Sequence, residues 1–73
     1  MIQIELRSDF IELHKLLKAS GLCSSGAEAK HAISQGLVTV DGETETRKAR
    51  KVRAGQKVSF NGETVSPKPP PAA

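Results

Sequence analysis

The stretch SSGAEAKHAISQGLVTVDG, Ser24–Gly42, decides how this chain folds. Ser25 and Glu28 have capping-box spacing: the serine hydroxyl takes an orphan amide at a helix start, and an acid three residues on reaches back. Ala29, Ala32 and Ile33 then form a narrow apolar seam of small side chains, which lets the helix approach a neighbour closely. Gly36 stops the helix. Leu37, Val38 and Val40 lead as a strand into Asp41-Gly42, a pair suited to the type I′ hairpin turn because both central positions need positive φ.

Towards the N-terminus, Ile2, Ile4 and Leu6 alternate with Gln3, Glu5 and Arg7, the period of a half-buried strand. Asp9 and Glu12 repeat the capping spacing. Phe10, Leu13 and Leu17 share a helical face with Leu16 beside them, and Gly21 supplies a left-handed stop, so a first helix is expected over Asp9–Ser20. Towards the C-terminus, Thr44 and Thr46 suit a returning strand, and Val52 is an isolated apolar anchor before the Ala54-Gly55 turn. Val58 and Phe60 alternate with polar neighbours, Asn61-Gly62 makes a second tight turn, and Val65 closes a last strand. From Ser66 the run SPKPPPAA lacks a strand pattern and is expected as a disordered tail. The reading is an α+β domain over residues 1–65, two packed helices against a small, mostly antiparallel sheet, with a tail over 66–73.

At 73 residues there is little room to enclose a catalytic cleft. A lone cysteine, Cys23, excludes an internal disulfide and fits a reducing, cytoplasmic setting. The opening residues are too polar for a signal peptide, and no run approaches the roughly 20 apolar residues of a membrane span. His14, His31 and Cys23 lack the number and spacing of zinc ligands, so no metal or cofactor is expected. A Cys23–His14 nucleophile pair is conceivable but has no orienting partner in the sequence, and the chain reads as a non-enzyme.

Charge is more informative. Eleven Lys and Arg face eight Asp and Glu, a net +3, yet no acid occurs between Glu45 and Glu63. That interval holds RKARKVR, Arg47–Arg53, and then Lys57. Like charges so close repel one another, and a phosphate backbone relieves the repulsion; the bland alternative is a solvated face. Arg47, Lys48, Arg50 and Lys51 are therefore candidate phosphate ligands, joined by Lys30 on the second helix and by Ser25 and the Gly26 amide at its start. Trp and Tyr are absent, and Phe10 and Phe60 both fit core positions. Stacking on splayed bases is thus unsupported, and the expected ligand is the backbone of a structured RNA. The alternative is a protein-interaction adaptor using a sheet edge or the Pro-rich tail.

Ser25, Ala29, Lys30, Ala32-Ile33, Gly36, Val38-Thr39-Val40, Asp41-Gly42 and the run Val52–Val58 follow one register that resembles the S4 domain, over about half the chain. The chain is similar to small stand-alone bacterial S4-like proteins. The resemblance implies the αL motif, RNA binding through the two helices and the adjoining loop, and a ribosomal or transfer RNA ligand, bound by a monomer. Four departures stand out. Gly26 replaces the arginine that follows the serine, Gln56 replaces an aspartate, Lys48 stands at a frequent proline, and Glu43 and Glu45 are acidic. Loss of that arginine shifts the work towards Lys30 and Arg47–Lys51.

Overall fold

The computed structural model describes residues 2–70. In chain order it contains β1 (Ile2–Glu5), β2 (Phe10–Glu12), α1 (Leu13–Ala19), α2 (Gly26–Ser34), β3 (Val38–Val40), β4 (Glu43–Thr44), β5 (Lys51–Arg53), β6 (Val58–Phe60) and β7 (Glu63–Lys68). Both hairpin turns form as their residues dictate. Asp41 and Gly42 take φ of 52° and 84°, and Asn61 and Gly62 take 53° and 81°, the left-handed pair of a type I′ turn. The turns join β3 to β4 and β6 to β7, and β6 runs antiparallel to β3.

The main sheet has the order β1-β7-β6-β3-β4, with β1 parallel to β7, and β2 pairs with β5 as a separate antiparallel ribbon. One core unites these parts. Leu13, Leu16 and Leu17 of α1 and Ala29, Ala32 and Ile33 of α2 cluster with Val38, Val40, Val58 and Val65 of the sheet and Val52 of the ribbon. Cys23, in the connection between the helices, is buried in this core. The small side chains of α2 meet α1 as the seam implied. The α+β class and the packing of two helices on a sheet agree with the sequence reading.

Two expectations are corrected. The first helix begins at Leu13, because Phe10–Glu12 is a strand facing β5 in the register Phe10↔Arg53, Ile11↔Val52 and Glu12↔Lys51. Asp9 caps nothing in α1. Instead the Leu13 amide donates to the Arg50 carbonyl (2.9 Å) and the His14 amide to the Lys48 carbonyl (3.1 Å). Strand alternation turns Ile11 towards the core and Phe10 away from it. Phe60 packs against the core as expected; Phe10 does not belong to it.

The second correction concerns the tail. Strand β7 continues to Lys68, pairing Gln3↔Ser66, Ile4↔Pro67 and Glu5↔Lys68 with β1. The Leu6 amide donates to the Lys68 carbonyl (2.9 Å), the Gly55 amide to the Pro67 carbonyl (3.3 Å), and Ser66 Oγ to the Gln56 carbonyl (3.1 Å). Pro67 is buried. It is tolerated because β6 pairs β7 only as far as Val65, so the missing N–H interrupts no ladder on that side. The fold therefore extends beyond Val65, and residues 71–73 of the expected tail lie outside the described residues.

Candidate nucleic-acid interface

Residues 45–50, the loop from β4 to β5, carry Arg47, Lys48 and Arg50, and two sets of bonds fix it. The first set is the pair of backbone bonds from the start of α1. Glu12 occupies the N-cap position without a side-chain cap bond, so the orphan amides of Leu13 and His14 are satisfied by loop carbonyls. The second set converges on Glu45. Its Oε2 accepts from the amides of Thr46 (3.1 Å) and Arg47 (3.0 Å) and from Arg47 Nε (3.1 Å). Its Oε1 accepts from Arg47 Nη2 (3.2 Å) and Arg50 Nε (2.8 Å).

This saturated carboxylate titrates far below its usual 4.5, at about 2, chiefly through the Arg47 side-chain bond, with help from the Arg47 amide and the charge of Arg50. Arg47 is correspondingly raised by its bond to Glu45. The two guanidiniums differ in exposure: the Arg47 side chain is 77% accessible, whereas that of Arg50 is 25% accessible and also donates from Nη1 to the Lys51 carbonyl (3.3 Å). Fixed by a shared anion, the arginines form a preset array.

Beside the loop, alternation places Phe10, Glu12, Lys51 and Arg53 on the outward face of the β2–β5 ribbon. Lys51 Nζ stands 4.9 Å from the centroid of the Phe10 ring, a cation–π contact. Glu12 Oε1 pairs with Lys15 Nζ (3.0 Å) and lies 3.6 Å from His14 Nε2. The Glu12 carboxyl is lowered first by the Lys15 bond, and more weakly by His14 and Lys30.

At the start of α2, Ser25 Oγ accepts the Glu28 amide (3.1 Å), as the capping spacing implied. Glu28 reaches back to Ser24 instead of Ser25, accepting from its amide (3.3 Å) and its hydroxyl, which lowers the Glu28 carboxyl. A Cβ at Gly26 would meet nothing within 4 Å, so glycine is not a steric demand at this departure from the S4 pattern. Among the described residues no hydrogen bond joins Ser25 or Gly26 to the 45–50 loop.

Arg47, Lys48, Arg50 and Lys51 are thus continuous along one loop and ribbon, Lys30 is exposed on α2, and Ser25 and Gly26 form a separate local cap. Glu45 was visible only as an acidic departure, because its role depends on a loop conformation that spacing does not encode. Burial raises the Cys23 thiol, and Glu28 adds to the effect, the reverse of an activated nucleophile. Among the described residues no group of three or more His, Cys, Asp or Glu is arranged to hold a metal ion, and no helix is long and apolar enough to cross a membrane.

Comparison with known proteins adds to this geometry. The model of the S4 domain matches residues 4–66. The YbcJ protein of Escherichia coli is 56% identical over 55 residues, covering 75% of this chain and 79% of that protein. A tyrosine–tRNA ligase of Ralstonia nicotianae is 47% identical over 53 residues, which span 73% of this chain but only 14% of the ligase. The solution structure of E. coli YbcJ, described as revealing an αL motif involved in RNA binding, superposes with a TM-score of 0.72 at 48% identity, covering 93% of this chain and 87% of that one. The 30S ribosomal protein S4e of Thermoplasma acidophilum superposes with a TM-score of 0.67 at 27% identity, covering 80% and 31% respectively.

Proposed function

The chain belongs to the S4 domain family, and from that premise we propose that it is a non-catalytic module that binds structured RNA through phosphate contacts. The observation that carries the reading is the 45–50 loop, held to α1 by backbone bonds and internally by Glu45, so that its cations meet a polyanion without first being ordered. Lys48 and Lys51 act as point charges on phosphates, and exposed Arg47 offers a planar fork. Arg50, more covered, lends its charge while holding the loop. Lys30 extends the cationic track to α2, where Ser25 and the Gly26 amide position the approaching backbone.

The RNA class is ribosomal or transfer RNA, bound by a monomer in the cytoplasm. Phosphate contacts of this kind position a ligand without reading its sequence, so affinity follows the shape of the RNA. Filter binding of a fully paired RNA hairpin at low salt tests the reading. Retention is expected, with similar affinity for hairpins of unrelated stem sequence. Absence of binding at low salt overturns it.

A further inference from the structure

Phe10 is an aromatic residue left outside the core, half-buried on the ribbon face that carries Lys51. Its ring also lines a cavity of about 410 Å³ between the end of β1, β2 and α1. Ile4, Leu6, Ile11 and Ala19 are its apolar lining, the exposed cations Arg7 and Lys15 (the latter paired with Glu12) also line it, and Glu5 is the acid among the lining residues. A pocket with apolar walls, an aromatic ring and a few polar groups, of roughly 300–1,000 Å³, is the usual form of a small-ligand site. Here two of the polar groups are cations, and the ring is shared with the cationic ribbon.

We propose that this cavity receives one unpaired nucleobase extruded from the bound RNA. The proposal rests on the RNA-binding reading and deepens it: the preferred ligand is a structured RNA with a bulged or looped-out nucleotide. The base lies against Phe10 and the aliphatic walls, Glu5 accepts from an exocyclic amine or ring N–H, and the flanking phosphates meet Lys15, Arg7 and Lys51. Charge complementarity selects this occupant over an apolar peptide, because a nucleotide matches both the apolar lining and the cations. Aromatic residues outside the core serve RNA recognition in this way, each base stacked on a ring contributing about 1–3 kcal/mol.

The test compares two hairpins with the same stem, one fully paired and one carrying a single bulged adenosine. The bulged hairpin is expected to bind about 5- to 100-fold tighter, the stacking range converted at tenfold per 1.4 kcal/mol. Phe10→Leu keeps an apolar side chain but removes the ring; it is expected to abolish the preference, read as the ratio of the two hairpins' affinities, whatever the loss of the Lys51 contact does to both alike. Equal binding of the two hairpins by the unmodified protein, or a preference that survives Phe10→Leu, overturns the proposal. Amide NMR on the unmodified protein decides independently if that variant does not fold. Ile4, Leu6 and Ala19 are expected to shift with the bulged hairpin and not with the paired one, and identical shifts with both overturn the proposal. If neither hairpin binds at low salt, the RNA-binding reading itself falls.

Discussion

Glu45 is placed to neutralise two guanidiniums inside the very loop proposed to meet RNA. Its role in stability has a definite pH signature. A carboxyl held down from 4.5 to about 2 contributes stability that is present above 4.5 and is lost as the pH falls through about 2. Glu45→Gln is expected to lower stability by about 1 kcal/mol at pH 7, modest because Arg47 is largely in solvent. The difference from the unmodified protein should shrink between pH 4.5 and pH 2. Urea midpoints at several pH values measure this, and a gap that stays constant into acid would show that the ion pairs contribute nothing. Gly26 makes a second residue-scale prediction. A Cβ here meets nothing within 4 Å, and the S4 pattern that the chain resembles carries arginine at this point, so Gly26→Arg is expected to tighten hairpin RNA binding and steepen its salt slope by about one unit. A cation at a helix start costs about 0.3–1 kcal/mol, so a small drop in melting temperature should accompany the gain. Unchanged affinity would remove the start of α2 from the interface. Ser25 and Gly26 were legible because a cap is a local device; Glu45 was not, since its five donors come from the conformation it helps to create.

Elements whose partners lie close in sequence were readable, and the elements that were misread have distant partners. The seam of α2 and the two I′ hairpins follow from neighbouring residues alone. Phe10–Glu12 fooled the helical reading because Phe10, Leu13 and Leu17 keep helical spacing, while the strand partner lies at Lys51–Arg53. The loop leading into that distant strand also supplies the α1 cap, so Asp9 is not needed. Strand β7 was cut short for the same reason: proline depresses strand propensity, yet Ser66–Lys68 find β1 at the other end of the chain. The consequence is testable. A chain ending at Val65 loses the bonds of Leu6, Gly55 and Ser66 to or from this segment, together with buried Pro67. At about 1 kcal/mol per bond, it is expected to lose about 3 kcal/mol or more, whereas a chain ending at Pro70 keeps its stability. Denaturant midpoints of the two truncations decide. Equal stability would mean that the β1–β7 pairing past Val65 is dispensable. A partner-binding role for the Pro-rich end must accordingly be tested by cuts after Lys68, since an earlier cut confounds loss of a ligand with loss of the fold.

For the molecule as a whole, the net charge of +3 says little about affinity, because what matters is how many cations one RNA backbone meets together. Sequence clustering pointed to this interval but overcounted its free charge, since Glu45 lies within bonding distance of both Arg47 and Arg50. With about four phosphates neutralised by the remaining array and its flanks, log affinity is expected to fall with log salt at a slope of roughly −3 to −4. Lys30 and Lys48 separate this electrostatic role from folding. Both are exposed, and the capping bond at Lys48 comes from its carbonyl, which any side chain preserves. Lys30→Gln with Lys48→Gln should therefore leave the melting temperature unchanged, flatten the slope by about two units, and weaken binding alike for stems of different sequence. Charge-reversing Arg47 would be a poorer probe, because it breaks the Glu45 bonds and moves the loop as well as the charge. A double variant that melts normally and keeps the full slope would show that RNA engages another face. The cationic loop would then be a solvated surface, whatever its geometry.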